Sequence, residues 1–199
     1  MWDADELRAA MDRLPELISS YRDYPEEIKE AGRQAQRACW RLDMLDPLDD
    51  EARAAVCRGL FGTWDDAVVL RQGFRCDYGF NIHFHGFALV NYDVTILDTS
   101  RVDIGVGAMI APGVRIVPAS HAVDPVQRAD GVGTSSPVRI GNNAWIGAGA
   151  TVLGGVTVGA GSVIGAGSVV THDISAGVVA MGVPCRVVRP IGPEDRLAP

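Results

Sequence analysis

From residue 104 onward an aliphatic residue returns at every sixth position. Ile104, Ile110 and Ile116 set the phase, and after an interruption Ile140, Ile146, Val152, Val158, Ile164 and Val170 resume it. A period of six fits neither the 3.6-residue turn of an α-helix nor the two-residue alternation of a half-buried strand. It fits a coil of three short strands joined by tight turns, with one aliphatic side chain pointing inward from each side. Gly105, Gly141, Gly147, Gly159 and Gly165 follow the aliphatic position, and Gly or Asn is expected where a corner demands positive φ. Stacked coils then pair as parallel sheets and bury ladders of Ile and Val. A Gly-rich linker would lack the regular aliphatics, and a doubly wound sheet would need helices between its strands.

The first 62 residues carry a different period. In DYPEEIKEAGRQAQRACWRLDML, Ile28, Ala31, Ala35, Ala38 and Leu42 recur at helical spacing, with Asp23 and Pro25 as an N-terminal signal. DPLDDEARAAVCRGLFG predicts a second helix with Asp46 as N-cap, Pro47 in the first turn and Gly62 as terminator. The resulting expectation is a mainly β protein: a parallel β-helix with a small N-terminal α-helical region. Its parts are a helical region over 1–65, the β-helix over 66–190 with an inserted loop at about 118–137, and a tail over 191–199.

Composition narrows the function. The formal charge of −7, from 25 Asp and Glu against 18 Lys and Arg, provides no basic footprint for nucleic acid or an anionic membrane. The acidic N-terminus does not read as a signal peptide, and no apolar run approaches the roughly 18 residues of a membrane span. A cytoplasmic protein is expected. Cys39, Cys57, Cys76 and Cys185 are scattered, as reduced thiols rather than a disulfide framework would be. His83 and His85, two apart in NIHFHGF, would share one face of a strand, but two ligands do not make a metal site.

The interruption holds the chemistry. Between Ile116 and Ile140 the segment VPASHAVDPVQRADGVGTSSPV departs from the repeat and carries His121, Asp124, Arg128 and Asp130. A loop thrown out of one corner leaves the stack intact and projects these groups sideways, where rigid scaffolds commonly present functional residues.

These motifs in this order resemble one family. FRCDYGFNI, NYDVTILD, HAVDPVQR, IGNNAWIGAGATVLGGVTVG and GVPCRVV, spread over about residues 17 to 190, are similar to the hexapeptide-repeat sugar O-acetyltransferases, the maltose, galactoside and nodulation enzymes. The resemblance implies a left-handed parallel β-helix, a homotrimer with active sites between subunits, and acetyl-CoA as co-substrate with no metal. It aligns His121 with the catalytic histidine. Histidine, ordinarily titrating at about pH 6.5, can take a hydroxyl proton and later give one to a thiolate.

The resemblance further implies Asp23, Asp77, Asn91 and Asp98 as contacts to a sugar acceptor, since carboxylates and amides accept hydroxyl protons. Asp23 is equally readable as a helix cap and Asn91 as a turn residue, and Asp98 competes with Thr99 for the acceptor. Asp124 reads as a loop-stabilising acceptor. Along acetyl-CoA the resemblance implies the Ala148 backbone N–H as oxyanion donor, small residues Ala148 and Ala166 against the pantetheine, Thr171 as a hydrogen-bonding group, and Arg186 and Arg189 for phosphates. Trp145 lines the cleft or plugs a subunit seam. The expected activity is acetyl transfer to a sugar hydroxyl. The alternatives are a serine-like hydroxyl, an amino sugar or an antibiotic as acceptor, and a non-catalytic scaffold.

Overall fold

The computed structural model describes residues 17–18 and 23–197. Helix α1, Glu26–Met44, buries Ile28, Ala31, Ala35, Cys39 and Leu42. This is the predicted stripe with Cys39 at its centre, and Ala38 packs half-buried against the same core. Pro25 occupies the N-cap of α1 without a side-chain hydrogen bond, so Asp23 lies outside the helix and is exposed. Helix α2, Asp50–Leu60, is capped by Asp49, whose carboxylate accepts the Ala52 N–H at 3.0 Å. The expected cap, Asp46, instead accepts the Leu48 N–H at 2.9 Å and closes the turn ahead of the helix. No described helix is long and apolar enough to cross a membrane.

From Thr63 the chain winds a parallel β-helix of about six coils with three faces. The first face stacks Ile82–Phe84, Val102–Ile104, Val138–Ile140 and Thr157–Val158. The second runs from Val69–Leu70 through Ala88–Val90, Ala108–Ile110, Trp145–Ile146 and Val163–Ile164 to Val178–Met181, with Arg186–Pro190 added antiparallel at its end. The third stacks Arg75–Cys76, Thr95–Ile96, Arg115–Val117, Thr151–Leu153 and Val169–Val170. Each coil visits first, second and third faces in turn.

All nine residues of the six-residue ladder are buried, none above 2% exposure. They stack in register, Ile146 on Ile110 and Ile164, and Val152 on Ile116 and Val170. At about 1.5 to 3 kcal/mol for each fully buried aliphatic side chain, this ladder is a principal source of the solenoid's stability. It leaves the edges free to vary.

The glycines divide into two kinds, which corrects the single role expected of them. Positive φ falls later in each corner, at Asn143 (54°) and Gly149 (67°) for example. The glycine directly after the aliphatic residue is demanded by close approach. A Cβ on Gly147 would stand 2.6 Å from both the Ala166 nitrogen and the Ile164 oxygen, well inside contact distance, because neighbouring coils meet there backbone to backbone.

Candidate active site

The inserted loop leaves the edge between the third and first faces, after Arg115–Val117. It forms a two-stranded antiparallel ribbon, Ala119–His121 against Gly133–Ser135, with Leu17–Ile18 paired outside it. A short helix α3, Pro125–Ala129, closes the tip. The exposed His121 pairs in register with Gly133. A Cβ on Gly133 would lie 2.8 Å from the Ser120 oxygen and 3.8 Å from His121 Nδ1, so the ribbon closes tightly because this position is glycine.

The residues flanking His121 hold the loop rigid. Asp124 caps α3 by accepting the N–H groups of Val126 and Gln127 at 3.0 and 2.9 Å, with Pro125 in the first turn where a missing N–H costs nothing. Arg128 Nη1 donates to the carbonyls of Ala122 and Val123, both at 2.9 Å. These are the first two residues after His121. At the base, Thr99 and Ser135 hydroxyls meet at 2.7 Å and tie the loop to the second coil. Asp124 and Arg128 therefore act on the backbone that carries the histidine.

Beneath the same edge lies a carboxylate pair. Asp98 is fully buried. Its Oδ1 accepts the N–H groups of Asp77 and Tyr78 at 3.0 and 2.9 Å, Oδ2 accepts that of Asn81 at 3.3 Å, and Asn81 Nδ2 donates back to the Asp98 carbonyl at 2.8 Å. Burial pushes the Asp98 carboxyl up to about 7; the N–H donors oppose this rise and the negative charge of Asp77 adds to it. Asp77 is half-buried, and burial raises its carboxyl too. Asp98 thus has no exposed surface in this chain and orients the turn that presents Asp77. Thr99 is committed to Ser135.

The remaining predicted residues occupy other places. Asn91, Ala148 and Ala166 follow the second-face strands and share the edge between the second and third faces. Asn91 Oδ1 accepts the Tyr92 N–H at 2.9 Å. Ala148 is exposed, its carbonyl accepts the Gly167 N–H at 2.8 Å, and among the described residues no acceptor meets its own N–H. Trp145 points outward from the second face, 51% exposed, in register with Met109 and Val163.

Thr171 sits on the third-to-first edge, as Asp77 and the His121 loop do, and its hydroxyl meets His172 Nδ1 at 2.8 Å. His172 lines a recess with Arg186; it escapes the sequence reading because nothing in the repeat marks it. Arg186 donates to the Cys185 carbonyl at 2.8 Å. Arg189 is closed by Asp195 in a bidentate pair at 2.7 and 2.6 Å, and the hydrogen bonds from Arg189 hold the exposed Asp195 carboxyl down at about 2.

The two histidines of NIHFHGF diverge. His83 is buried, its Nδ1 2.9 Å from the Thr63 hydroxyl, whereas His85 Nε2 stands 2.7 Å from Asp103 Oδ1. Among the described residues no group of three or more His, Cys, Asp or Glu is arranged to hold a metal ion.

Residues 137–172 match the family model described as bacterial transferase hexapeptide (six repeats). The chain is 36% identical to the galactoside O-acetyltransferase of Escherichia coli (strain K12) over 88% of its length and 87% of that protein. It is 39% identical to the solved structure of a maltose O-acetyltransferase from Clostridium difficile 630, at a TM-score of 0.80, covering 84% of this chain and 90% of that one. A galactoside acetyltransferase solved in complex with coenzyme A is 36% identical, at a TM-score of 0.81, covering 98% of this chain and 94% of that one.

Proposed function

The chain belongs to the hexapeptide-repeat O-acetyltransferases, which are acetyl-CoA-dependent enzymes, and from that premise we propose that it acetylates a hydroxyl of a sugar or glycoside with His121 as general base. The observation that carries the reading is the mounting of His121: an exposed imidazole on a short ribbon, with Asp124 and Arg128 fixing the backbone on its C-terminal side.

In this reading His121 takes the acceptor proton as the hydroxyl oxygen attacks the thioester carbonyl carbon. The C=O π pair moves onto oxygen and is met by a preorganised N–H, that of Ala148. Collapse of the tetrahedral intermediate breaks the C–S bond, and the histidine returns its proton to the CoA thiolate. Gly147 lets the adjoining coils touch, and the small Ala148 and Ala166 leave the edge open to the pantetheine. Arg186 meets CoA phosphate, and Thr171 donates from the neighbouring edge. Asp23, Asp77 and Asn91 receive acceptor hydroxyls, while Asp98 acts through the backbone of Asp77.

His121 and Ala148 lie on different edges of one chain, with the third face between them. A neighbouring copy that brings its third-to-first edge to this chain's second-to-third edge unites them. The outward Met109, Trp145 and Val163 supply an apolar surface for such contact, which supports a homotrimer with shared sites.

Release of CoA in the presence of acetyl-CoA and a panel of hexosides tests the reading. His121→Ala should lose most turnover, by about 10²- to 10⁴-fold for a general base, while acetyl-CoA binding measured by calorimetry persists. Undiminished turnover in that variant sinks the mechanism. Absence of transfer to every sugar, with transfer to a serine-like hydroxyl or an amine, sinks the acceptor class.

A further inference from the structure

The edge that carries Asn91, Ala148 and Ala166 continues past Asn91 to the first coil, and there it opens into a recess. Its walls include Asp50 and Arg53 from α2, Trp64 from the connection, and Arg71, Gln72 and Tyr92 from the corners. Two of these are locked. Trp64 stacks on Phe61 at 5.3 Å between ring centroids and donates its Nε1–H to Asp66 at 3.1 Å, and Arg53 donates to the carbonyls of Leu42 and Leu70, both at 2.9 Å. Among the described residues, the side chains of Arg71, Gln72 and Tyr92 have no hydrogen-bond partner, and Tyr92 is 48% exposed.

Register orders these groups along one line. Arg71 N–H donates to the Val90 carbonyl, Asn91 N–H to Ile110 and Ala111 N–H to Ile146, so Arg71, Asn91, Ala111 and Gly147 succeed one another coil by coil. At about 4.8 Å per coil, the recess begins about 5 Å beyond Asn91 and about 14 Å from the Ala148 level, on the side away from Ala166. The chemistry of the walls is that of pyranose recognition. Aromatic faces at Trp64 and Tyr92 suit the apolar C–H faces of a ring, and guanidinium, amide and carboxylate groups suit its hydroxyls.

We propose that this recess is a second sugar subsite, which takes a residue further along the glycan from the ring being acetylated, so that the preferred acceptor is an oligosaccharide or extended glycoside. The proposal rests on the acceptor class given above. An acceptor whose reacting ring lies near the Ala148 level runs past Asn91 and carries a residue further along its chain toward Arg71 and Tyr92. CoA, along the later coils, leaves the recess free.

The test compares kcat/KM for methyl glycosides of glucose, galactose and N-acetylglucosamine with that for the disaccharides and trisaccharides that extend them. In the unmodified enzyme the extended acceptor of the favoured series should lead by about thirtyfold or more, the lower end of what one aromatic contact and one hydrogen bond to a charged group supply. Arg71→Ala and Tyr92→Ala, both at exposed corner positions, should each reduce that ratio toward one. Thermal unfolding run alongside separates loss of fold from loss of the subsite. A ratio near one in the unmodified enzyme, or a ratio that survives both substitutions, overturns the subsite while transfer to the simple glycoside goes on. Failure of all sugars overturns the acceptor class and the subsite with it.

Discussion

Asp98 Oδ1 accepts the backbone N–H of Asp77 at 3.0 Å, so one buried carboxylate sets the direction of another. The pair has a thermodynamic signature. The Asp98 carboxyl is pushed up to about 7 in the folded chain, against about 3.9 for an unfolded aspartate. Between these values the folded state binds the extra proton. Stability from this group is therefore complete below about pH 4 and is lost as pH rises toward about 7. Carboxylates held low by arginine, such as Asp66 and Asp195, have the opposite sign and act below that window. The unfolding midpoint should fall between pH 4 and 7, and Asp98→Asn should flatten the slope. A slope unchanged in Asp98→Asn refutes the assignment.

The clamp behind His121 makes a second expectation. Asp124→Ala removes the acceptor for two N–H groups, a loss of about 1 kcal/mol in ordinary helix caps, and Arg128→Met frees the carbonyls of Ala122 and Val123. Both act on a surface loop rather than on the buried ladder. Each should lower kcat about tenfold or more with KM for acetyl-CoA unchanged and the midpoint of urea unfolding barely moved. A rise in KM alone would show that the clamp serves binding instead of placing the base.

A third concerns Gly147. A methyl group there would meet the Ala166 nitrogen and the Ile164 oxygen at 2.6 Å, and backbone cannot swing aside as a flexible side chain does. Gly147→Ala should cost about 1 to 3 kcal/mol as an overpacking change and reduce kcat by shifting the adjacent Ala148 N–H. The neighbouring Ile146→Val, which only trims the ladder, should cost about 1 kcal/mol and leave kcat unaffected. Urea titration and steady-state rates on the two variants check both halves.

Legibility followed the range of the interactions. The aliphatic ladder could be read from sequence because each coil repeats one inward position, and its nine residues are buried as the period required. The loop was legible as a break in that beat. Its internal wiring was legible in part: Asp124 is the loop-stabilising acceptor expected of it, whereas Arg128 reaches back five and six residues to carbonyls that carry no sequence signal. Asp46 was the expected cap, and the role fell to Asp49 because Asp46 satisfies its own turn. The resemblance implies Asp98 as a sugar ligand; its carboxylate instead accepts the N–H groups of Asp77, Tyr78 and Asn81, 17 to 21 residues away. Gly147 was visible, but a glycine required by close approach is spelled the same way as one required by positive φ.

Arg189 offers its guanidinium fork to Asp195 rather than to solvent, and the pair lies on the exposed surface, where such contacts are worth little to stability. Arg186 has no carboxylate partner among the described residues. If both arginines serve CoA phosphate, Asp195 competes with the ligand for Arg189, because a fork closed on a carboxylate cannot also receive a phosphate. Asp195→Asn should then lower the acetyl-CoA KM severalfold and steepen its salt dependence, with kcat and the unfolding midpoint unchanged. Arg186→Ala should raise that KM in either background. Arg189→Ala should raise it more in Asp195→Asn than in the parent chain, where the fork is already occupied. An acetyl-CoA KM indifferent to Asp195→Asn and Arg189→Ala alike assigns Arg189 to the tail alone and leaves Arg186 as the phosphate contact of the pair.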